Sequence, residues 1–225
     1  MSTFSERLNS VEELIRESSP HPEKVTLISV SKRKPLADLL EAYASGVRVF
    51  GENRVQEARD KRPELPGDAE IHLIGPLQKN KAKYCPTTFT WVHSLHSLEV
   101  AIALDSQFQK AEKILNVLVQ MNLTGEETKS GLITFEELKN FNDKIVKLPN
   151  LNLRGLMTMG NPAFTPAENR PIFAKLREMM QKEQARLHKN DFNQLSMGMS
   201  GDFIEALGEG ATMIRVGSAL FGSRE

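Results

Sequence analysis

Short apolar or β-branched runs alternate along the chain with stretches in which apolar residues recur every three to four positions. The runs are Val25–Ser31, Arg48–Gly51, Ile71–Ile74, Thr90–His93, Leu115–Met121, Leu151–Met157, Gln194–Met197 and Met213–Gly217, eight in all, and each reads as a buried strand. Between them "PLADLLEAYAS", "VQEARDKR", "SLEVAIALDSQFQKAEK", "TFEELKNFNDKIVKL", "PIFAKLREMMQKEQARL" and "GDFIEALGEG" carry the helical period or helix-former composition. Pro35 suits a first helical turn, Thr134 with Glu137 makes a capping box, and Gly208 and Gly210 read as a helix stop. After Ile74 the pattern thins: "QKNKAKY" is short and polar and predicts a single helical turn. One further helix precedes the first strand, with Thr3 and Glu6 as its capping box and Phe4, Leu8, Val11, Leu14 and Ile15 on one face. It is expected to plug or flank the sheet.

Eight strand-then-helix units without a long linker predict an α/β fold, a (β/α)8 barrel in one domain over residues 1–225, because right-handed crossovers close a parallel sheet at that count. The length agrees, since such barrels run to about 200–250 residues as one unit. A doubly wound open sheet is the competing arrangement. It would usually announce a ligand by a glycine-rich first turn, and here that turn is "SKRKP".

Lys and Arg total 29 against 29 Asp and Glu, so no overall charge points to nucleic acid or an anionic membrane. A single cysteine, Cys85, excludes an internal disulfide and any multi-cysteine metal site. The opening "MSTFSERLNSVEEL" is charged throughout, without the apolar core of a signal peptide. No run approaches the ~20 apolar residues of a membrane span. The expected compartment is the cytoplasm.

A barrel directs attention to the C-terminal ends of its strands, with phosphate commonly held by the loops after strands seven and eight. At the end of strand one stands Lys32, followed by Arg33 and Lys34. Lys32 reads either as a solvated rim cation or as an amine for Schiff-base formation, which needs its neutral form; the neighbouring cations would lower its pKa. Lys34 has the same strand parity, and position alone does not separate the two. Ser196-Met197-Gly198-Met199-Ser200-Gly201-Asp202 runs from a strand into a helix, with Ser200 placed as N-cap, and reads as an anion-binding turn or a simple capped one. Gly217-Ser218 would be the other half of the cradle. Arg215 lies among apolar residues in strand eight and needs an acceptor, a carboxylate or a ligand atom. Met157, Met159, Met197 and Met199 read as adaptable core filling. His93 and His96 lack a third ligand nearby. "GMSG" lacks the second spacing of a nucleophile elbow, and Cys85, beside Pro86, reads as a buried thiol.

"SVSKRKP", "FGENRVQE", "HLIGPLQKNK", "VLVQMN…KSG", "LRGLMTM", "LSMGMSGDF" and "RVGSALFG" together span the chain. In that order they closely resemble the pyridoxal phosphate homeostasis proteins, whose fold is that of the alanine racemase N-terminal domain. The resemblance implies that Lys32 carries pyridoxal 5'-phosphate as an internal aldimine. It further implies that Ser196, Met197, Gly198 and Ser200 wrap the phosphate with Gly217 and Ser218, that Arg215 faces the pyridine nitrogen, and that Asn53 lies near the cofactor. Arg54 departs from the family's tyrosine, Arg33 from threonine, Leu73 from phenylalanine, Lys79 from serine and Ser218 from threonine.

The cofactor's electron sink works best with a carboxylate at the pyridine nitrogen. An arginine there is a donor only. Alanine racemase adds a tyrosine from a second domain; this chain closes at Glu225 just after strand eight, and Tyr43 and Tyr84 are beside no site motif. The expectation is therefore a monomeric pyridoxal 5'-phosphate carrier, buffer or regulator without turnover, with apo-enzymes that use the cofactor as partners. An amino-acid racemase is the alternative, and a barrel isomerase of a sugar phosphate a third reading.

Overall fold

The computed structural model describes residues 2–126 and 130–222; Lys129 of the "KSG" motif and Glu225 lie outside the described residues. Strands β1 (Thr26–Val30), β2 (Val49–Glu52), β3 (Glu70–Leu73), β4 (Trp91–Leu95), β5 (Leu115–Gln120), β6 (Leu151–Met157), β7 (Gln194–Met199) and β8 (Met213–Val216) form a closed parallel barrel in chain order. β8 pairs back onto β1 through Thr26 with Met213 and Ile28 with Arg215. The closed order decides for the barrel and against the open sheet. Strand β7 runs two residues beyond its expected end, so that Met199 pairs with Arg215.

Helices α1 (Phe4–Ser18), α2 (Leu36–Ala44), α3 (Val55–Lys61), α4 (Leu98–Lys110), α5 (Phe135–Ile145), α6 (Pro166–Leu187), α7 (Phe203–Gly208) and α8 (Ser218–Phe221) complete the chain. The capping boxes at Thr3/Glu6 and Thr134/Glu137 form as the sequence predicts, and Thr165/Glu168 makes a third at α6. Pro35 sits at the N-cap of α2 rather than inside its first turn, with φ −64° and an extended ψ of 159°. After β3 the polar stretch is not one turn but a 3-10 helix over Lys79–Thr87, with Pro86 inside it; few apolar side chains are available there to hold a regular α-helix against the barrel.

Helix α1 flanks the barrel and does not plug it. Its buried face, Phe4, Leu8, Val11 and Ile15, lies against α7 and α8. The Phe4 ring sits 5.2 Å from that of Phe221, and Arg7 Nε donates to the Leu220 carbonyl at 2.5 Å. The main core lies between sheet and helices, with Leu39, Phe50, Leu104, Phe108 and Phe173 fully buried; each such side chain stabilises by about 1.5–3 kcal/mol. A second, smaller cluster of Ile28, Leu118, Met157 and Met213, with Val49 and Trp91 against it, fills the inside of the barrel. Polar side chains take the rest of that interior.

Candidate functional site

A cavity of about 550 Å³ opens among the C-terminal ends of the strands, lined by residues that include Lys32, Lys34, Asn53, Ser200, Arg215, Gly217 and Ser218. The fold thus gathers into one place residues separated by almost the whole chain.

Lys32 lies half-buried two residues past β1. Arg33 takes the left-handed conformation, φ 61°, and its amide donates to Glu57 Oε1. Lys34 N closes the turn onto the Ser31 carbonyl at 3.1 Å. The two lysines that sequence parity left equivalent have different surroundings. Lys34 Nζ donates to the Phe221 carbonyl at 3.2 Å, lies over the Phe221 ring and stands 4.0 Å from Asp38, so it ties the turn to α8.

Beneath the turn is a buried charge cluster. Lys61 Nζ donates to the Ser31 carbonyl (3.0 Å), Glu52 Oε1 (2.8 Å) and Glu57 Oε1 (2.7 Å), while Ser31 Oγ donates to Glu52 Oε1 (2.7 Å). Burial pushes the Glu52 carboxyl above its ordinary range, against the lowering effect of Lys61 and Ser31. Its Oε2 has no hydrogen-bond partner among the described residues. This cluster fixes the peptide from which Lys32 projects. A carboxylate ending a strand, with a lysine on the next helix, was its readable sign in the sequence.

Arg215 is 4% exposed and has neutral acceptors, Ser196 Oγ (2.6 Å from Nη1) and the Thr158 carbonyl (2.8 Å from Nη2). Burial lowers its pKa to about 10, opposed by the charge of Asp202. Neither of the anticipated acceptors is needed to satisfy these two donors: Ser196 in β7 and Thr158, the residue after β6, accept from them. Ser196 is buried behind Arg215, where its Oγ also meets His93 Nδ1 at 2.8 Å. His93 Nε2 meets His72 Nδ1 at 3.1 Å, and His72 Nε2 faces Glu70 Oε2 at 3.5 Å. Burial holds His72 below and His93 well below the usual imidazole value, so both rings are neutral at pH 7. Polar residues alternating with apolar ones in "EIHL" of β3 were the sign of this interior chain.

The loops after β7 and β8 are joined directly. Ser200 does not cap α7; that position belongs to Asp202, whose side chain makes no cap bond and accepts instead from Met199 N at 2.7 Å. Ser200 Oγ accepts from Gly217 N at 3.1 Å, because the turn carries the hydroxyl towards β8 rather than over the helix. Gly198 has φ +88°, and a Cβ there would stand 2.6 Å from the Ala206 Cβ. It permits close packing of α7. Ser196, Met197 and Gly198 are buried behind the cavity, outside its lining, while Met199, Ser200 and Gly201 reach it. Of the four methionines read as core, Met157 and Met197 are buried in it, whereas Met159 and Met199 line the cavity.

Burial raises the Cys85 thiol to about 12, and its only described polar contact is the Lys81 carbonyl at 3.8 Å. His96 turns back to the Ser94 carbonyl. Leu73 is fully buried, Arg33 and Arg54 are exposed, and Lys79 pairs with Glu99. Neither Tyr43, bonded to Asp68, nor Tyr84, beneath Arg59, lines the cavity.

Fold and cavity define a barrel of the alanine racemase N-terminal class: the family model described as "Alanine racemase, N-terminal domain" matches residues 11–225. The chain is 42% identical to the pyridoxal phosphate homeostasis protein of Pseudomonas aeruginosa, covering 100% of this chain and 97% of the relative. It is 38% identical to that of Escherichia coli, covering 91% and 88%. It superposes with a TM-score of 0.88 on PipY of Synechococcus elongatus PCC7942 solved with PLP bound, at 38% identity over 98% of this chain and 100% of that one. D-threonine aldolase from Filomicrobium marinum (TM-score 0.78, 16% identity, 97% of this chain and 60% of that one) shares the fold. The chain belongs to the alanine racemase N-terminal domain family and, within it, to the pyridoxal phosphate homeostasis proteins.

Proposed function

We propose that this protein binds pyridoxal 5'-phosphate and serves intracellular homeostasis of that cofactor as a carrier or buffer without substrate turnover. What supports the reading is one arrangement: an amine, a buried guanidinium and the bridged loops after β7 and β8 share a single cavity. The residues fit the cofactor's three chemical ends. Lys32 would hold the aldehyde carbon as a Schiff base, the aldehyde oxygen leaving as water. The hydroxyls of Ser200 and Ser218 and the Gly217 turn would hold the phosphate, and Arg215 would donate to the ring nitrogen.

The cofactor supplies an electron sink when bound, and the surrounding residues restrain its use. Arg215 presents only N–H donors, so it does not hold a proton on the ring nitrogen as a carboxylate would. Neither tyrosine lines the cavity to serve as the opposing base of a racemase. The protein should therefore load and release the cofactor rather than transform an amino acid. Its partners would be apo-enzymes that require the cofactor, and its working form a cytoplasmic monomer. No helix among the described residues is long and apolar enough to cross a membrane.

The test is the absorption spectrum of protein incubated with pyridoxal 5'-phosphate. A Schiff-base band present in the native protein and Lys34→Ala and absent from Lys32→Ala supports the assignment; a band surviving in Lys32→Ala refutes it. Holo-protein should activate an apo-enzyme beyond the level given by freely released cofactor. Solvent deuterium entering an amino acid's α-carbon at enzymatic rates would overturn the carrier reading in favour of a racemase.

A further inference from the structure

The interior hydrogen-bond chain has two ends that cannot exchange roles. A guanidinium only donates and an ionised carboxylate only accepts. At one end, Arg215 Nη1 donates to Ser196 Oγ at 2.6 Å. At the other, Glu70, half-exposed at the opposite mouth of the barrel, accepts from Thr90 Oγ1 at 2.9 Å and faces His72 Nε2 at 3.5 Å. Contact with His72 and Thr90 holds the Glu70 carboxyl below its usual value, which keeps it ionised. A bare imidazole nitrogen turned towards that carboxylate would be repelled, so His72 carries its proton on Nε2.

The remaining protons then follow one by one. His72 Nδ1 is an acceptor and takes the proton of His93 Nε2. His93 Nδ1 is then also an acceptor and takes the Ser196 hydroxyl proton. Ser196, its only proton committed, can meet Arg215 solely as an acceptor. The groups facing these rings are Glu70 and His93 at His72, and His72 and Arg215 at His93, with the Trp91 ring beside both; Asp202 is the carboxylate whose charge reaches Arg215.

We infer that Glu70, His72, His93 and Ser196 are positioning residues that act through one another, a one-way hydrogen-bond chain through the barrel that locks the Arg215 guanidinium as a fixed donor at the cofactor cavity. The inference rests on the cofactor reading for its purpose but not for its proton order. With Ser196 and Thr158 each taking a donor from one end of the guanidinium, Arg215 cannot swing, and its remaining N–H groups keep a constant direction towards the cavity. The chain therefore favours holding the ring nitrogen over protonating it, which is the behaviour of a carrier.

The proton order is read by long-range proton–nitrogen correlation of imidazole-labelled full-length protein, with His72 and His93 assigned from single-site variants. At about pH 7 to 8, above the range in which an unperturbed histidine is half-protonated, both rings should show a bare Nδ1 and a protonated Nε2. A neutral ring with its proton on Nδ1, at either histidine, would overturn the inference. The coupling is read from binding. Ser196→Ala and Glu70→Leu, each checked for folding by circular dichroism, should weaken pyridoxal 5'-phosphate binding about 3- to 10-fold, the worth of one net hydrogen bond. Glu70→Gln, whose amide oxygen still accepts, should recover it. Native affinity in both folded disrupting variants would refute the positioning role while leaving the Schiff-base assignment intact. A native protein with the expected tautomers but no Schiff-base band would instead sink the cofactor reading and leave the proton order standing.

Discussion

Removing the ammonium of Lys61 while keeping its bulk, as in Lys61→Met, should expose how the turn carrying Lys32 is held. Lys61 satisfies the Ser31 carbonyl, Glu52 and Glu57 at 3.0, 2.8 and 2.7 Å. Glu52 is fully buried, and its Oε2 already lacks a partner among the described residues. Without Lys61 the carboxylate keeps only the Ser31 hydroxyl, and an uncompensated buried charge costs about 3–5 kcal/mol. For a chain of this size that is about 6–20 °C in Tm. The pH dependence has a definite sign. A carboxyl whose folded pKa lies above its unfolded value contributes stability that is complete below the unfolded value, ordinarily 4.5, and is lost as pH rises through the folded one. Losing Lys61 raises the folded pKa further. The deficit of Lys61→Met should thus grow as pH rises towards neutrality and shrink as acid protonates Glu52. Glu52→Gln/Lys61→Met should recover most of it, since neither side chain then carries charge. Urea melts across pH give the measurement; a deficit under about 1 kcal/mol, one flat with pH, or a double variant as unstable as the single would refute the reasoning. Cofactor affinity should fall in parallel, because the Ser31 carbonyl directly precedes Lys32.

Gly198→Ala should destabilise by about 2–5 kcal/mol in urea melts, from the left-handed backbone penalty and overpacking against Ala206 and Phe203. Native Cys85, buried and raised to about 12, should react with a thiol reagent at mildly alkaline pH on the order of a thousandfold more slowly than a free thiol, and at full rate in denaturant; fast native reaction would contradict its burial. Arg215→Lys cannot satisfy both Ser196 and the Thr158 carbonyl in the same geometry and should lose about 1–3 kcal/mol of stability, with a weaker Schiff-base signal on titration with pyridoxal 5'-phosphate.

The sequence by itself determined the barrel and the place of its mouth. Eight apolar runs separated by helical periods have few ways to bury themselves except as a closed parallel sheet, and local chemistry at Thr3/Glu6 and Thr134/Glu137 needs no distant partner to be read. Lys32, Arg215, Gly217 and Ser218 drew attention because they stand at strand ends or interrupt an apolar run, Asn53 only through the family resemblance, and all five line the cavity. Distance and direction were not legible. Ser200 reads as a helix cap, and only the closing of β8 against β7 offers its hydroxyl a nearer partner in Gly217. Ser196 reads as a cradle residue, yet strand pairing turns it inward to Arg215 and His93. Lys32 and Lys34 share a parity that separates only when α8 brings the Phe221 carbonyl to Lys34. The Glu52–Lys61 cluster and the histidine chain join strands and helices far apart in sequence, and such contacts exist only once the barrel has closed.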